Sequence, residues 1–483
     1  MPEYILGIDL GTTALKGALF DVQHGLVAVA SADYPIYRPH PGHVEQRAEE
    51  WVEALLAVTD RLFDSRALDD LAAIGICSQV NTHVFVDGNG QALAPAIVWQ
   101  DDRCESAAQA LNARITAEQR EQWWQSSGGV AASHTVARAT WFAEHEPDLW
   151  RQTAQVLSPK DYLIRQLTGQ YVTDPFSCFD LVDGTGAYIE GLIALVPGLR
   201  ERLPPLQRYS HVVGPATHDR FAPSKAQVVN GTMDGFGCLF GSGAHRSGEG
   251  AYISGTSEII ALISDRPGGA PGIVSFMPVD GWHVQAGPTQ SGGDTLRWMG
   301  NLLGETIEEV LVLAEQADRR NSPVFFLPHL QGERAPFWDS AARGTFLGLT
   351  SKHGKPEMAL AALEGVAISA RLVFEAAQQA TGQLYDSLYL GGNGNRSDLW
   401  AQIRADVLGI PLKRVKCLDI GPVGAVIMAG VGTGMLASVQ DASERFVEVE
   451  RIFTPDPAMR DRYDAMAARY LAAYEALKPI YAA

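Results

Sequence analysis

Asp9 is a carboxylate at the end of an apolar run, YILGID, and Gly11, Thr12 and Thr13 come almost at once after it, with Lys16 a little further on. A glycine in a tight turn lets neighbouring backbone N–H groups converge on an anion. Thr12 and Thr13 add hydroxyl donors and Lys16 adds a positive charge. Asp9 is the anomaly, because a carboxylate repels phosphate. It makes sense if Mg²⁺ lies between the two, since magnesium takes a carboxylate or its waters together with substrate phosphates. Taken alone, the stretch would also suit an ordinary hairpin with a polar turn.

The pattern recurs at Gly250, where GAYISGTSEIIALISD places Gly255, Thr256 and Ser257 between two strand-like runs. The repeat predicts a duplicated architecture. Between the copies, Asp234 stands in NGTMDGFGCLFGSG, just ahead of a glycine-rich helical run. An acid is stabilised at a helix N-terminus by the helix dipole, whether or not it has a catalytic task. Two further stretches leave strand ends, where ligand-contacting residues of open α/β sheets collect. SQVNTH, 78–83, comes after a buried strand, and GGNGN, 391–395, joins a strand to a helix. Trp99 in VWQDDR comes after another apolar run and could stack on a ligand, although most tryptophans are core. GERAPFWD, 332–339, receives no role; Glu333 and Arg334 could pair with one another.

Several elements must position these residues. Strands are predicted at Ile5–Asp9, Leu15–Asp21 and Leu26–Ser31, with a loop from Ser31 to Gly42. A helix is predicted over Gln46–Phe63, where Ala48, Trp51, Leu55, Val58 and Leu62 recur at three- and four-residue steps. Leu71–Ile76 reads as a buried strand. Ser133–Glu144, Ser158–Thr168, Ser397–Leu408 and Ala458–Leu477 read as helices, and Ser387–Leu390 as a strand. Pro422–Val439 has no charge but is rich in glycine and small residues, which predicts a buried helix rather than a membrane span. Gly241–Gly248 reads as a hinge, so the expected domains are 1–245 and 246–483.

The chain has 483 residues, too many for one core. A net charge of −18 with no basic tract argues against nucleic acid or an anionic membrane as partner. The five cysteines are odd in number and lack CxxC spacing, so a reducing cytoplasm is expected. No signal-peptide pattern opens the chain. Neither GxxxxGK[ST] nor GxGxxG occurs, which removes the P-loop and Rossmann routes to a nucleotide.

Two phosphate hairpins on separate domains are the layout of the actin-like ATPase fold, an α/β architecture of two ribonuclease-H-like domains around an interdomain cleft. The chain resembles the FGGY carbohydrate kinases over nearly its whole length. GTFLGLTSKHGKPEMALAALEG, 344–365, is similar to the family's second signature. DLGTT, 9–13, resembles its first phosphate motif and SGTS, 254–257, its second. LYLGGNGNRSDLWAQIRADVLGIPL, 388–412, resembles the adenosine motif, and GPVGAVIMAG, 421–430, the closing helix. PKDYLIRQLTG, 159–169, departs from the first signature at Leu163, where a tryptophan is usual, and is similar to the variant found in xylulokinases.

The resemblance implies ATP and Mg²⁺ as cofactors. ATP would be bound by Gly11, Thr12, Thr13 and Lys16, by Gly255, Thr256 and Ser257, and at its adenosine end by Gly391, Gly392, Asn393 and Asn395; Mg²⁺ would lie near Asp9. It implies Asp234 as the base that takes the proton of the acceptor hydroxyl. It places the sugar against Gln79, Val80, Asn81, Trp99 and Asp234. Xylulokinases usually carry Met-His where Val80 and Asn81 stand, so the substrate is less fixed than the reaction. The expectation is phosphorylation of D-xylulose to its 5-phosphate by a cytoplasmic enzyme, with a homodimer left open. Another ketose, a polyol or an aldonate is the alternative. From other classes, an ATP-driven actin-like protein would need a peptide-binding domain or polymerisation surface, and a non-catalytic regulator would not need Asp9 and Asp234 intact.

Overall fold

The computed structural model describes residues 3–124 and 128–481. The chain forms two compact units. One takes the residues up to Gly241 together with Gly421–Phe446; the other takes Ser242–Ile420 and the residues from Val447 onward.

The first unit is built on a six-stranded sheet. Its strands are β1 (Tyr4–Leu10), β2 (Ala14–Asp21), β3 (Gly25–Asp33), β4 (Leu71–Ser78), β5 (Val212–Pro215) and β6 (Gln227–Met233). They lie in the order β3-β2-β1-β4-β6-β5. β1, β2 and β3 form an antiparallel meander, and β4 and β6 then add in parallel. The helix Ala48–Leu62 lays Trp51, Leu55, Val58 and Leu62 on one face of the meander. Val58 reaches Gly17, where a Cβ would overlap it.

The other face explains why the chain comes back to this unit. The helix Ile420–Thr433 lies directly on the sheet. A Cβ at Gly7 of β1 would overlap the carbonyl oxygen of Pro422, and one at Gly75 of β4 would overlap that of Ala425. Backbone-to-backbone approach of this kind requires glycine on the strand and small residues on the helix. A single boundary near residue 245 did not anticipate the return of 421–446. The uncharged run 422–439 is also not one helix. Gly434 takes a left-handed φ of +77° that ends the first helix, and a second begins at Val439. β3 continues to Asp33, two residues into the segment expected to be loop.

The second unit repeats the plan in a seven-stranded sheet. Its strands are β7 (Gly250–Ser254), β8 (Glu258–Ser264), β9 (Val274–Ser275), β10 (His283–Pro288), β11 (Leu388–Gly391), β12 (Leu412–Val415) and β13 (Val449–Phe453). Their order is β9-β10-β8-β7-β11-β12-β13. With edge strands set aside, β10-β8-β7-β11-β12 matches β3-β2-β1-β4-β6 in order and in strand direction. Each unit thus has a ribonuclease-H-like core, and together they have the two-domain actin-like ATPase fold. The helix Lys355–Thr381 forms much of the second core, with Leu360, Leu363, Val366 and Val373 fully buried.

Candidate active site

Asp9, Cys77 and Thr232 lie in one row across the parallel strands β1, β4 and β6: Asp9 pairs in register with Cys77, and Cys77 with Thr232. The row runs along the C-terminal ends of these strands, the edge at which open α/β sheets hold their ligands. A bulge in β6 sets its end. Gly231 has φ +67°, and a Cβ there would overlap the carbonyl of Ile76. The register shifts between Val229 and Thr232 as a result, which re-aims the end of the strand and the helix beyond it. Asp234 stands half-buried in the first turn of that helix, Asp234–Gly241. The helix dipole favours the ionised carboxylate.

Burial pushes the Cys77 thiol well above its usual range, and the charges of Asp9 and Asp234 push the same way. Both carboxylates are therefore close to one buried sulfur. Asp9 also faces Lys16 across the β1–β2 pair, so the two share a face of the hairpin. Its carboxylate lies where a Cβ on Gly421 would be, at the start of the returning helix. Tyr34 is shifted upward by burial first and by Asp9 second.

The turn after Asp9 is held from behind. Tyr34 donates its hydroxyl to the Gly11 carbonyl, and its backbone N–H donates to Thr13 O at 3.2 Å. Gln46 Nε2 donates to Thr12 O at 2.6 Å. In a planar trans peptide the next N–H points opposite to the carbonyl. Anchoring the carbonyls of Gly11 and Thr12 therefore turns the N–H groups of Thr12 and Thr13 the other way, as an anion nest requires. Neither Tyr34 nor Gln46 stands out in the sequence, where they sit in a loop and at a helix start.

The expected sugar-contacting residues surround this turn. Trp99 Nε1 donates to Thr12 Oγ1 at 3.0 Å, so its indole is fixed to the β1–β2 turn. Gln79 Nε2 donates to Gln46 Oε1 at 2.9 Å. Among the described residues Gln79 Oε1 and Asn81 Oδ1 are buried and accept no hydrogen bond. Asn81 sits at φ +55°, a left-handed conformation that asparagine tolerates better than most side chains and that recurs at ligand sites. Val80 is half-buried beside it. Asp101 of the WQDDR run is structural: it accepts from Val44 N at 2.5 Å and pairs with Arg103 at 2.7 Å.

The second unit uses the same device. Gly293 N donates to Gly255 O at 2.9 Å and Asp294 N to Thr256 O at 3.2 Å. The N–H groups of Thr256 and Ser257 are thereby turned outward. A Cβ on Gly293 would lie 2.7 Å from Gly255 O, so the glycine is needed for the approach. A Gly-Gly pair at the start of the helix Gly293–Leu303 was the signal available in the sequence.

GGNGN closes over the end of β7. Cβ atoms at Gly392 and Gly394 would overlap Ser254. The amide side chains of this loop, expected at the adenosine end of ATP, are engaged within the protein. Asn395 is fully buried; its Nδ2 donates to Gly391 O at 2.7 Å and its Oδ1 accepts from Arg404 at 2.7 Å. Asn393 Nδ2 donates to Asp419 at 3.0 Å, and its Oδ1 accepts from Arg396 at 3.0 Å. The two amides shape the loop, because a strand-to-helix crossing this tight leaves its own polar groups to be paired. Gly391 is buried, and a Cβ there would overlap Ile420.

Arg404, fully buried, joins these parts. It donates to Ser254 Oγ at 2.8 Å, Glu258 Oε1 at 2.9 Å and Gly394 O at 3.0 Å, and lies over the Trp400 ring at 3.7 Å. Burial raises the Glu258 carboxyl while Arg404 opposes the shift. Glu333 accepts from the backbone N–H of Arg334 at 2.9 Å and lies 3.0 Å from His329 Nδ1. Arg334 reaches Ser257 Oγ at 3.0 Å and Thr289 O at 2.5 Å.

No cluster of three or more His, Cys, Asp or Glu side chains among the described residues is arranged to hold a metal. The donor present, one carboxylate at the mouth of an anion nest, fits an ion that keeps its waters and is shared with phosphates. No described helix is long and apolar enough to cross a membrane.

The FGGY family of carbohydrate kinases matches in two parts, its N-terminal domain over residues 4–241 and its C-terminal domain over 250–433. Xylulose kinase of Escherichia coli (strain K12) is 29% identical over 495 residues, covering 99% of this chain and all of the relative. Among solved structures, gluconate kinase from Lactobacillus acidophilus superposes with a TM-score of 0.89 at 26% identity, covering 100% of this chain and 99% of the other. Ligand-bound xylulose kinase from the same organism gives 0.89 at 26%, covering 99% of each.

Proposed function

Since the chain belongs to the FGGY family of carbohydrate kinases, we propose that this ATP-dependent enzyme phosphorylates a neutral ketose, D-xylulose being the best single candidate. The observation that carries the reading is the row Asp9–Cys77–Thr232 with Asp234 just beyond it, ending beside a turn whose N–H groups are preset for an anion.

In this reaction the acceptor oxygen bonds to the γ-phosphorus, the bond to the bridging β,γ-oxygen breaks, and ADP leaves. Asp234 takes the hydroxyl proton as general base. Asp9 would hold Mg²⁺, which when bound neutralises charge on the phosphates. The turns at 11–13 and 255–257 orient the triphosphate. Gln79 and Asn81 present neutral amide oxygens that suit sugar hydroxyls as donors. Trp99, held by Thr12, offers its indole face to the sugar.

An aldonate is the second reading, supported by the likeness to a gluconate kinase at the same identity and TM-score as to a xylulose kinase. The neutral amides favour the ketose. ADP release measured with D-xylulose, D-ribulose, erythritol, glycerol and D-gluconate separates the readings. D-xylulose is expected to give the highest kcat/KM; a preference for gluconate would overturn the ketose assignment.

A further inference from the structure

The GERAPFWD segment, left without a role by the sequence, places Arg334 on the second phosphate turn. We propose that Arg334 contacts the γ-phosphate of ATP and stabilises the charge that develops there during transfer. This rests on the reading of Gly255–Ser257 as a phosphate cradle.

Three observations support it. First, the head group touches the proposed cradle. Its terminal nitrogen bonds Ser257 Oγ, a group of the cradle itself. Second, it is held in advance. Nε and the same terminal nitrogen share the Thr289 carbonyl, at 3.2 and 2.5 Å, and the backbone N–H donates to Glu333 Oε1 at 2.9 Å. Glu333 is itself fixed by Gln290 N at 2.5 Å, Ser369 Oγ at 3.0 Å and His329 Nδ1 at 3.0 Å. A donor already oriented needs little reorganisation when charge develops. Third, the head group borders open space: Arg334 lines a cavity of about 260 Å³ with Gln290, Gln331, Glu333, Trp338 and Ser340. Guanidinium is suited to phosphate because its planar donors match two oxygens at once.

The blander reading makes Arg334 a strut that ties its loop to the turn. A strut would affect ATP and ADP alike, whereas a γ-phosphate contact affects only ATP. The test compares Arg334→Gln and Arg334→Lys with wild type, measuring ATP and ADP affinity by calorimetry and kcat with sugar. For Arg334→Gln the expected results are a kcat lower by about 10²-fold and an ATP-over-ADP preference lower by about tenfold. Sugar affinity should be unchanged, and lysine should restore part of kcat. An unchanged ATP-over-ADP preference and near-normal kcat would overturn the proposal. Wild-type protein that bound no ATP would instead overturn the phosphate reading of the turn. If the glutamine variant does not fold, phenylglyoxal modification of the intact enzyme gives the answer. ATP should protect Arg334 more than ADP does, and equal protection would overturn the contact.

Discussion

Asn81 combines a left-handed backbone with a buried oxygen that accepts nothing from the described residues. Both features are unfavourable in a resting protein, and the proposed sugar hydroxyl would relieve the second. Asn81→Ala should therefore cost about 1–3 kcal/mol of transition-state stabilisation for the true substrate, the usual cost of leaving a polar partner unmatched. Poor substrates that never use the contact should lose less, which a kcat/KM panel reads directly. An equal loss for every sugar would remove Asn81 from substrate choice. At Asp234 the prediction is sharper: Asp234→Asn should lower kcat by at least about 10²-fold with ATP affinity little changed. Near-normal turnover would take the base role away from it. The helix start at Asp234 was legible because an acid before a glycine-rich run is a local pattern. Tyr34, Gln46 and Arg334 were not, since what matters about each is a partner distant in sequence.

At the scale of elements, both phosphate turns depend on carbonyls pinned by something that arrives from elsewhere in the chain. In the second unit the whole assembly of β7, β8 and the GGNGN loop converges on Arg404. Removing one member of a buried ion pair leaves the other charge without compensation, at a cost of about 3–5 kcal/mol. Arg404→Ala should thus lower the thermal midpoint of the protein clearly and weaken ATP binding as the loop loosens. A midpoint within a degree of wild type would show that Glu258 is adequately solvated without it. The hairpins, the helix Ala48–Leu62 and the GGNGN crossing were readable because their signals are contiguous. The return of 421–446 was not. One trace of it lies in Gly7 and Gly75, whose partners Pro422 and Ala425 are hundreds of residues away.

For the whole molecule, duplication of one fold divides the chemistry. Asp9, Asp234, Gln79 and Asn81 belong to the first unit, while Ser257, Arg334 and GGNGN belong to the second. On the proposed mechanism transfer draws on both, so ATP hydrolysis without sugar should be slow. The central claim is that this chain phosphorylates a neutral ketose through Asp234. The most direct measurement is formation of sugar phosphate from D-xylulose and ATP, monitored by phosphorus NMR with wild type and Asp234→Asn side by side. The account predicts stoichiometric xylulose phosphate and ADP with the wild type, and at least about 10²-fold slower formation with the variant. ADP released without any sugar phosphate, or equal rates from the two proteins, would contradict it.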